Sequence, residues 1–98
     1  MNNLFIVGMQ RSGTSLLYSL LDEHPNIQMS TPLRPEPKYF IDKPHSGILD
    51  QNKYITKLFP TILTDTRYLG EKSTSYVEHE SSLKSIKQTF PNSRILLI

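Results

Sequence analysis

Apolar residues fall in short blocks along the chain, separated by polar or proline-bearing stretches. Leu4 to Val7 is an unbroken apolar run closed by Gly8, the pattern of a strand covered on both faces. Leu16, Leu17, Leu20 and Leu21 recur at i, i+1, i+4 and i+5, which places them on one helical face and predicts that they are core. Thr14 or Ser15 is expected to cap that helix. Pro25 ends it, because proline cannot continue a helix and disfavours helical backbone at His24. Ile27 to Met29 reads as a short strand. Residues 30–47 hold Pro32, Pro35, Pro37, Pro44 and Gly47 and predict a long irregular excursion, a kind of loop that is often functional. A roughly helical apolar pattern runs from Ile48 to Leu63, with Pro60 expected to break or kink it. Tyr68 to Lys72 reads as a strand ending in charge. Glu78 to Thr89 reads as a helix stopped by Pro91, and Arg94 to Ile98 as a final buried strand.

Strands alternating with helices predict an α/β fold with a mostly parallel sheet and right-handed crossovers. Ligands in such sheets sit outside the carboxyl ends of the strands. Here those ends carry the Gly8–Ser15 loop and Glu71-Lys72. A 98-residue chain whose last residues read as a buried strand is expected to be the N-terminal part of a single larger domain. No apolar run approaches the roughly 20 residues of a membrane span. Met1-Asn2-Asn3 is not the basic start of a signal peptide, so a cytoplasmic location is expected. The absence of cysteine excludes disulfides and thiolate metal sites. A net charge of +2, with the basic residues spread singly, argues against nucleic acid as a partner. Any anion must then be bound by a few placed residues, and an uncovered last strand would favour pairing with another chain.

The loop Gly8-Met9-Gln10-Arg11-Ser12-Gly13-Thr14-Ser15 is where that chemistry concentrates. Its glycines have the spacing of a P-loop, with Thr14 where the lysine belongs. Glycines let successive N–H groups turn inward around an anion, and the following helix adds its positive end. Ser12, Thr14 and Ser15 offer hydroxyls, and Arg11 a planar cationic fork for phosphate or sulfate. Without the P-loop lysine, and with no strand closed by an Asp to hold magnesium, a nucleotide kinase or hydrolase is the weaker alternative. A non-catalytic oxyanion-binding remnant is a third reading. Glu36 and Lys38 read equally as loop surface or as acceptor-side contacts. His24, His45 and His79 have no metal-ligand spacing.

The segment Phe5-Ile6-Val7-Gly8-Met9-Gln10-Arg11-Ser12-Gly13-Thr14-Ser15-Leu16-Leu17 resembles the 5′-phosphosulfate-binding loop of sulfotransferases that use 3′-phosphoadenosine 5′-phosphosulfate (PAPS). His24-Pro25-Asn26-Ile27, Glu36-Pro37-Lys38-Tyr39-Phe40 and Gly70-Glu71-Lys72-Ser73-Thr74-Ser75-Tyr76 are similar to later segments of the family, the last one to its carbohydrate-type and bacterial branch. Phe90-Pro91-Asn92-Ser93-Arg94-Ile95-Leu96-Leu97-Ile98 resembles the strand leading to the 3′-phosphate motif. Thr74 stands where many members have proline, and the Arg-Asp/Asn-Pro segment that follows in the family lies past Ile98. The resemblance implies an incomplete P-loop-type three-layer fold. It implies sulfuryl transfer from PAPS to a hydroxyl or amine of a small-molecule or carbohydrate acceptor, without a metal, and little activity for residues 1–98 alone. It implies that Arg11, Ser12, Gly13, Thr14 and Ser15 bind the donor and that Arg11 stabilises the leaving oxygens. Glu71 would be the general base and Lys72 a second cation near the transferred group. Adjacent residues on a strand point to opposite faces, so Glu71 and Lys72 share the crevice only where the strand has already ended.

Overall fold

A computed structural model of the chain describes residues 2–9, 13–31, 33, 35–41 and 49–97. In chain order they form β1 (Asn2–Gly8), α1 (Thr14–Asp22), β2 (Ile27–Met29), α2 (Gln51–Leu58), β3 (Tyr68–Lys72), a 3-10 turn (Thr74–Glu78), α3 (Glu80–Thr89) and β4 (Arg94–Leu97). The strands make one four-stranded sheet in the order β2-β3-β1-β4, and every pairing is parallel. The apolar run of β1 explains its central place: only a strand covered on both faces dispenses with polar alternation.

The pleat of β1 divides the core. Phe5 and Val7 face one side, with Tyr54 of α2, Tyr76 of the 3-10 turn, Ile86 of α3, and Phe40, Phe59 and Phe90. Leu4 and Ile6 face the other, with Tyr18 of α1 and Met29 of β2. The molecule is therefore three-layered, with α1 on one face of the sheet and α2 and α3 on the other, as expected of a P-loop-type α/β fold. The α2/α3 side is an aromatic cluster. Phe5 lies 5.8 Å from Phe40 and 5.9 Å from both Tyr54 and Phe90, in edge-on or tilted arrangements that such rings favour.

The extents and buried faces of the helices differ from the sequence expectations. The leucines of α1 are not one buried stripe: Leu16 and Leu20 are 65% and 57% exposed, while Thr14 and Tyr18 are buried and Leu17 and Leu21 partly so. Tyr18 decides that rotation, because its ring enters the core only where its hydroxyl reaches the Ser30 carbonyl, at 2.6 Å. The pattern from Ile48 to Leu63 yields only α2. Asp50 caps its start by accepting from the Lys53 N–H at 3.1 Å, and Phe59 leaves helical backbone before Pro60. The helix expected from Glu78 begins at Glu80. Extended backbone at His79 separates it from the 3-10 turn, which carries Tyr76 into the core.

Candidate functional site

The carboxyl ends of β1 and β3 lie side by side, with Ile6 opposite Lys72. From β1 the chain leaves through Gly8, where an added Cβ would stand 2.8 Å from Val77 Cγ1 in the 3-10 turn. That close approach is why a residue without a side chain closes the strand. Arg11 and Ser12, two of the expected donor-binding residues, lie outside the described residues. Gly13 begins α1. Its φ of 83° is left-handed backbone, open to glycine and strained for other residues.

Gly13, and not Thr14 or Ser15 as the sequence predicts, is the N-cap of α1, and among the described residues no side chain caps the helix. Thr14 and Ser15 are already in its first turn. A glycine cap leaves the N–H groups of that turn facing outward beside the positive helix end, the arrangement an oxyanion requires.

Glu71 and Lys72 are both still within β3, and the pleat sends them to opposite faces. Lys72, paired with Ile6, lies on the α1 face. It is 5% exposed, and its Nζ stands 2.5 Å from Glu36 Oε2. Glu36 Oε1 also accepts from the Thr74 N–H at 3.0 Å and from its hydroxyl at 3.2 Å. These bonds offset the cost of withdrawing two charges from water. At 13% exposure, Glu36 keeps an opening to solvent.

Glu71, paired with Phe5, faces the α2/α3 layer instead. The expectation that it faces the crevice is corrected: its carboxylate is completely buried. Oε1 accepts from the Tyr54 hydroxyl at 2.7 Å. Oε2 accepts from the Ser73 hydroxyl at 2.6 Å and the Tyr76 hydroxyl at 2.5 Å. Burial pushes the Glu71 carboxyl above the usual carboxylate range. The bonds from Ser73, Tyr76 and Tyr54 oppose that shift, and the charge of Glu36 adds to it. Burial, followed by the charge of Glu71, raises both the Tyr54 and the Tyr76 hydroxyls, so both remain protonated donors.

The residue that sequence reasoning left open is Glu36. Its signal was a carboxylate next to Pro37 in an otherwise irregular loop, and only the fold brings it to Lys72, 36 positions on. No helix among the described residues is long and apolar enough to cross a membrane.

The chain is similar to known proteins in sequence and in fold. The chain is 27% identical over 96 residues to the bifunctional heparan sulfate N-deacetylase/N-sulfotransferase 1 of Caenorhabditis elegans, a match covering 98% of this chain and 11% of that protein. Its fold superposes on the crystal structure of a sulfotransferase from Alicyclobacillus acidocaldarius with a TM-score of 0.75 at 24% identity, covering 99% of this chain and 43% of that one. The chain thus spans about a tenth of the curated relative and less than half of the solved one. A sequence model described as the Sulfotransferase family matches residues 3–58, more than half of the chain, a span that holds β1 from Asn3 onward, the Gly8–Ser15 loop, α1 and Glu36. With the parallel three-layer sheet and the glycine-capped helix after its central strand, this match makes the chain a member of the sulfotransferase family.

Proposed function

We propose that this chain supplies the donor-binding loop and the acid–base pair of an enzyme that transfers a sulfuryl group from PAPS to a hydroxyl or amine of a small-molecule or carbohydrate acceptor. The observation that carries this reading is the Glu36–Lys72 pair. It stands at the carboxyl end of β3, on the same face of the sheet as the uncapped start of α1. Family membership and the likeness to a heparan sulfate N-sulfotransferase support it.

The glycine cap fits an anionic donor, since the capping residue itself offers no side chain to the first-turn N–H groups. PAPS, when bound, supplies the sulfuryl group and a phosphate leaving group. The N–H groups after Gly13, the hydroxyls of Ser12, Thr14 and Ser15, and the guanidinium of Arg11 would hold the 5′-phosphate. Lys72 would place a second positive charge where negative charge builds on the transferred group. Glu36 would take the proton of the attacking hydroxyl or amine as the new bond to sulfur forms and the bond to the leaving phosphate breaks. This role passes from Glu71 to Glu36 because Glu71 is completely buried while Glu36 keeps an opening to solvent. Thr74 and Lys72 hold the Glu36 carboxylate in one orientation, so little ordering remains to be done when the acceptor arrives.

The reading is tested by calorimetric titration of the protein with 3′-phosphoadenosine 5′-phosphate. Arg11→Ala is expected to weaken binding by about tenfold or more, the worth of a charge-assisted pair. Equal affinity in the two proteins overturns the donor-site assignment.

A further inference from the structure

We infer that the buried carboxylate of Glu71 sets the position of Glu36, acting through Ser73 and Tyr76. The inference rests on the proposed function only in treating Glu36 as the proton acceptor; the positioning itself is a property of the fold. Glu71 Oε2 receives two hydroxyls, and each of them in turn accepts a backbone N–H from the segment that carries Glu36. Ser73 Oγ accepts from Lys38 N at 2.9 Å, and the Tyr76 hydroxyl accepts from Phe40 N at 3.0 Å. An amide N–H only donates. Each hydroxyl therefore spends a lone pair on the loop and points its own proton at Glu71. Two relays run from one carboxylate oxygen to two alternate residues of the same short segment.

That segment does not hold its shape unaided. Lys38 has a φ of 51°, left-handed backbone that costs a residue with a side chain about 1 kcal/mol or more. The relay through Ser73 fixes its N–H, and the Ile41 N–H bonds to its carbonyl at 3.1 Å. Two residues earlier, the Glu36 side chain is held by Lys72 and Thr74. The stretch from Glu71 to Tyr76 thus grips the loop twice: Lys72 and Thr74 hold the reactive side chain, while Ser73 and Tyr76 hold the backbone behind it. Glu71 lies beneath that second grip, and Tyr54 on its other oxygen ties in α2. Leucine would fill this buried position at lower desolvation cost, but it could accept neither hydroxyl. Glu71 is accordingly a positioning residue: it touches the hydroxyls that hold the loop and not Glu36 itself.

Amide hydrogen exchange of the donor-free protein tests this. In Glu71→Leu, exchange at Lys38 and Phe40 should quicken by about tenfold, while the sheet amides of Phe5 and Ile6 change far less. Glu71→Gln should restore slow exchange, because an amide oxygen at the Oε2 position can accept both hydroxyls. Should Glu71→Leu fail to fold, the single relays decide the matter: Ser73→Ala should release Lys38 and spare Phe40, and Tyr76→Phe the reverse. In turnover, both relay variants should lower kcat with the donor KM unchanged. Uniform acceleration across the sheet, equal release of both amides by either relay variant, or failure of glutamine to rescue overturns the inference. Because exchange is read without donor, failure to bind 3′-phosphoadenosine 5′-phosphate would overturn the functional reading alone.

Discussion

At the scale of single residues, two adjacent charges have been given different work by the pleat of one strand. Lys72 is turned to the α1 face of the sheet and Glu71 into the aromatic core, and each meets partners distant in the chain. Glu36→Gln should cut turnover by about a hundredfold or more while donor affinity holds, since a proton acceptor is lost and no donor contact is. Steady-state kinetics alongside calorimetry would show the separation. Glu71 also makes stability depend on pH. Burial raises its carboxyl above the usual range, so the folded state binds this proton more tightly than the unfolded chain does. Its contribution is greatest below the ordinary glutamate value of about 4.3 and declines as pH rises through the raised folded value. Urea unfolding at a series of pH values should show wild type losing ground to Glu71→Gln as pH rises through that window. A difference that stays constant with pH would contradict it.

At the scale of elements, the site depends on how β1 hands over to α1. Gly8 is packed against Val77, a β-branched residue with little freedom to move, so Gly8→Ala must displace the 3-10 turn. The expected cost is about 1–3 kcal/mol in chemical denaturation. Gly13 is different: among the described residues nothing lies within 4 Å of an added Cβ, and the cost of Gly13→Ala is that of the left-handed backbone, about 1 kcal/mol. Gly13→Ala should therefore lower donor affinity more than stability, and Gly8→Ala the reverse. Calorimetry and urea unfolding of the pair separate the two effects. Most elements were legible in the sequence because their signals are local: a closed apolar run for β1, Pro25 after α1, Pro60 after α2. The face that α1 buries was not, because four leucines outnumber one tyrosine in the pattern but only Tyr18 finds a hydrogen-bond partner inside. The 3-10 turn was also hidden, since its cause is the tertiary placement of Tyr76.

At the scale of the whole molecule, function and stability share one sheet. Phe5, at the middle of the central strand, touches Phe40, Tyr54 and Phe90, and it sits opposite Glu71. Phe5→Ala should cost about 3–5 kcal/mol, a large part of the total stability of a small domain. Thermal unfolding followed by circular dichroism should show the midpoint fall by well over 10 °C, at roughly 4–8 °C per kcal/mol. The aromatic layer holds Tyr54 and Tyr76 as well, so its loss also loosens the cage around Glu71.

The sequence by itself determined the α/β alternation, the glycine loop after the first strand and the resemblance to the sulfotransferase family, because each is a pattern of neighbouring residues. The tertiary structure decided which carboxylate is open to chemistry. Strand pleating buried Glu71 among hydroxyls, and an irregular proline-rich loop carried Glu36 to Lys72. Backbone alternation can be read from neighbouring positions, but a contact across 36 residues exists only once the chain has folded.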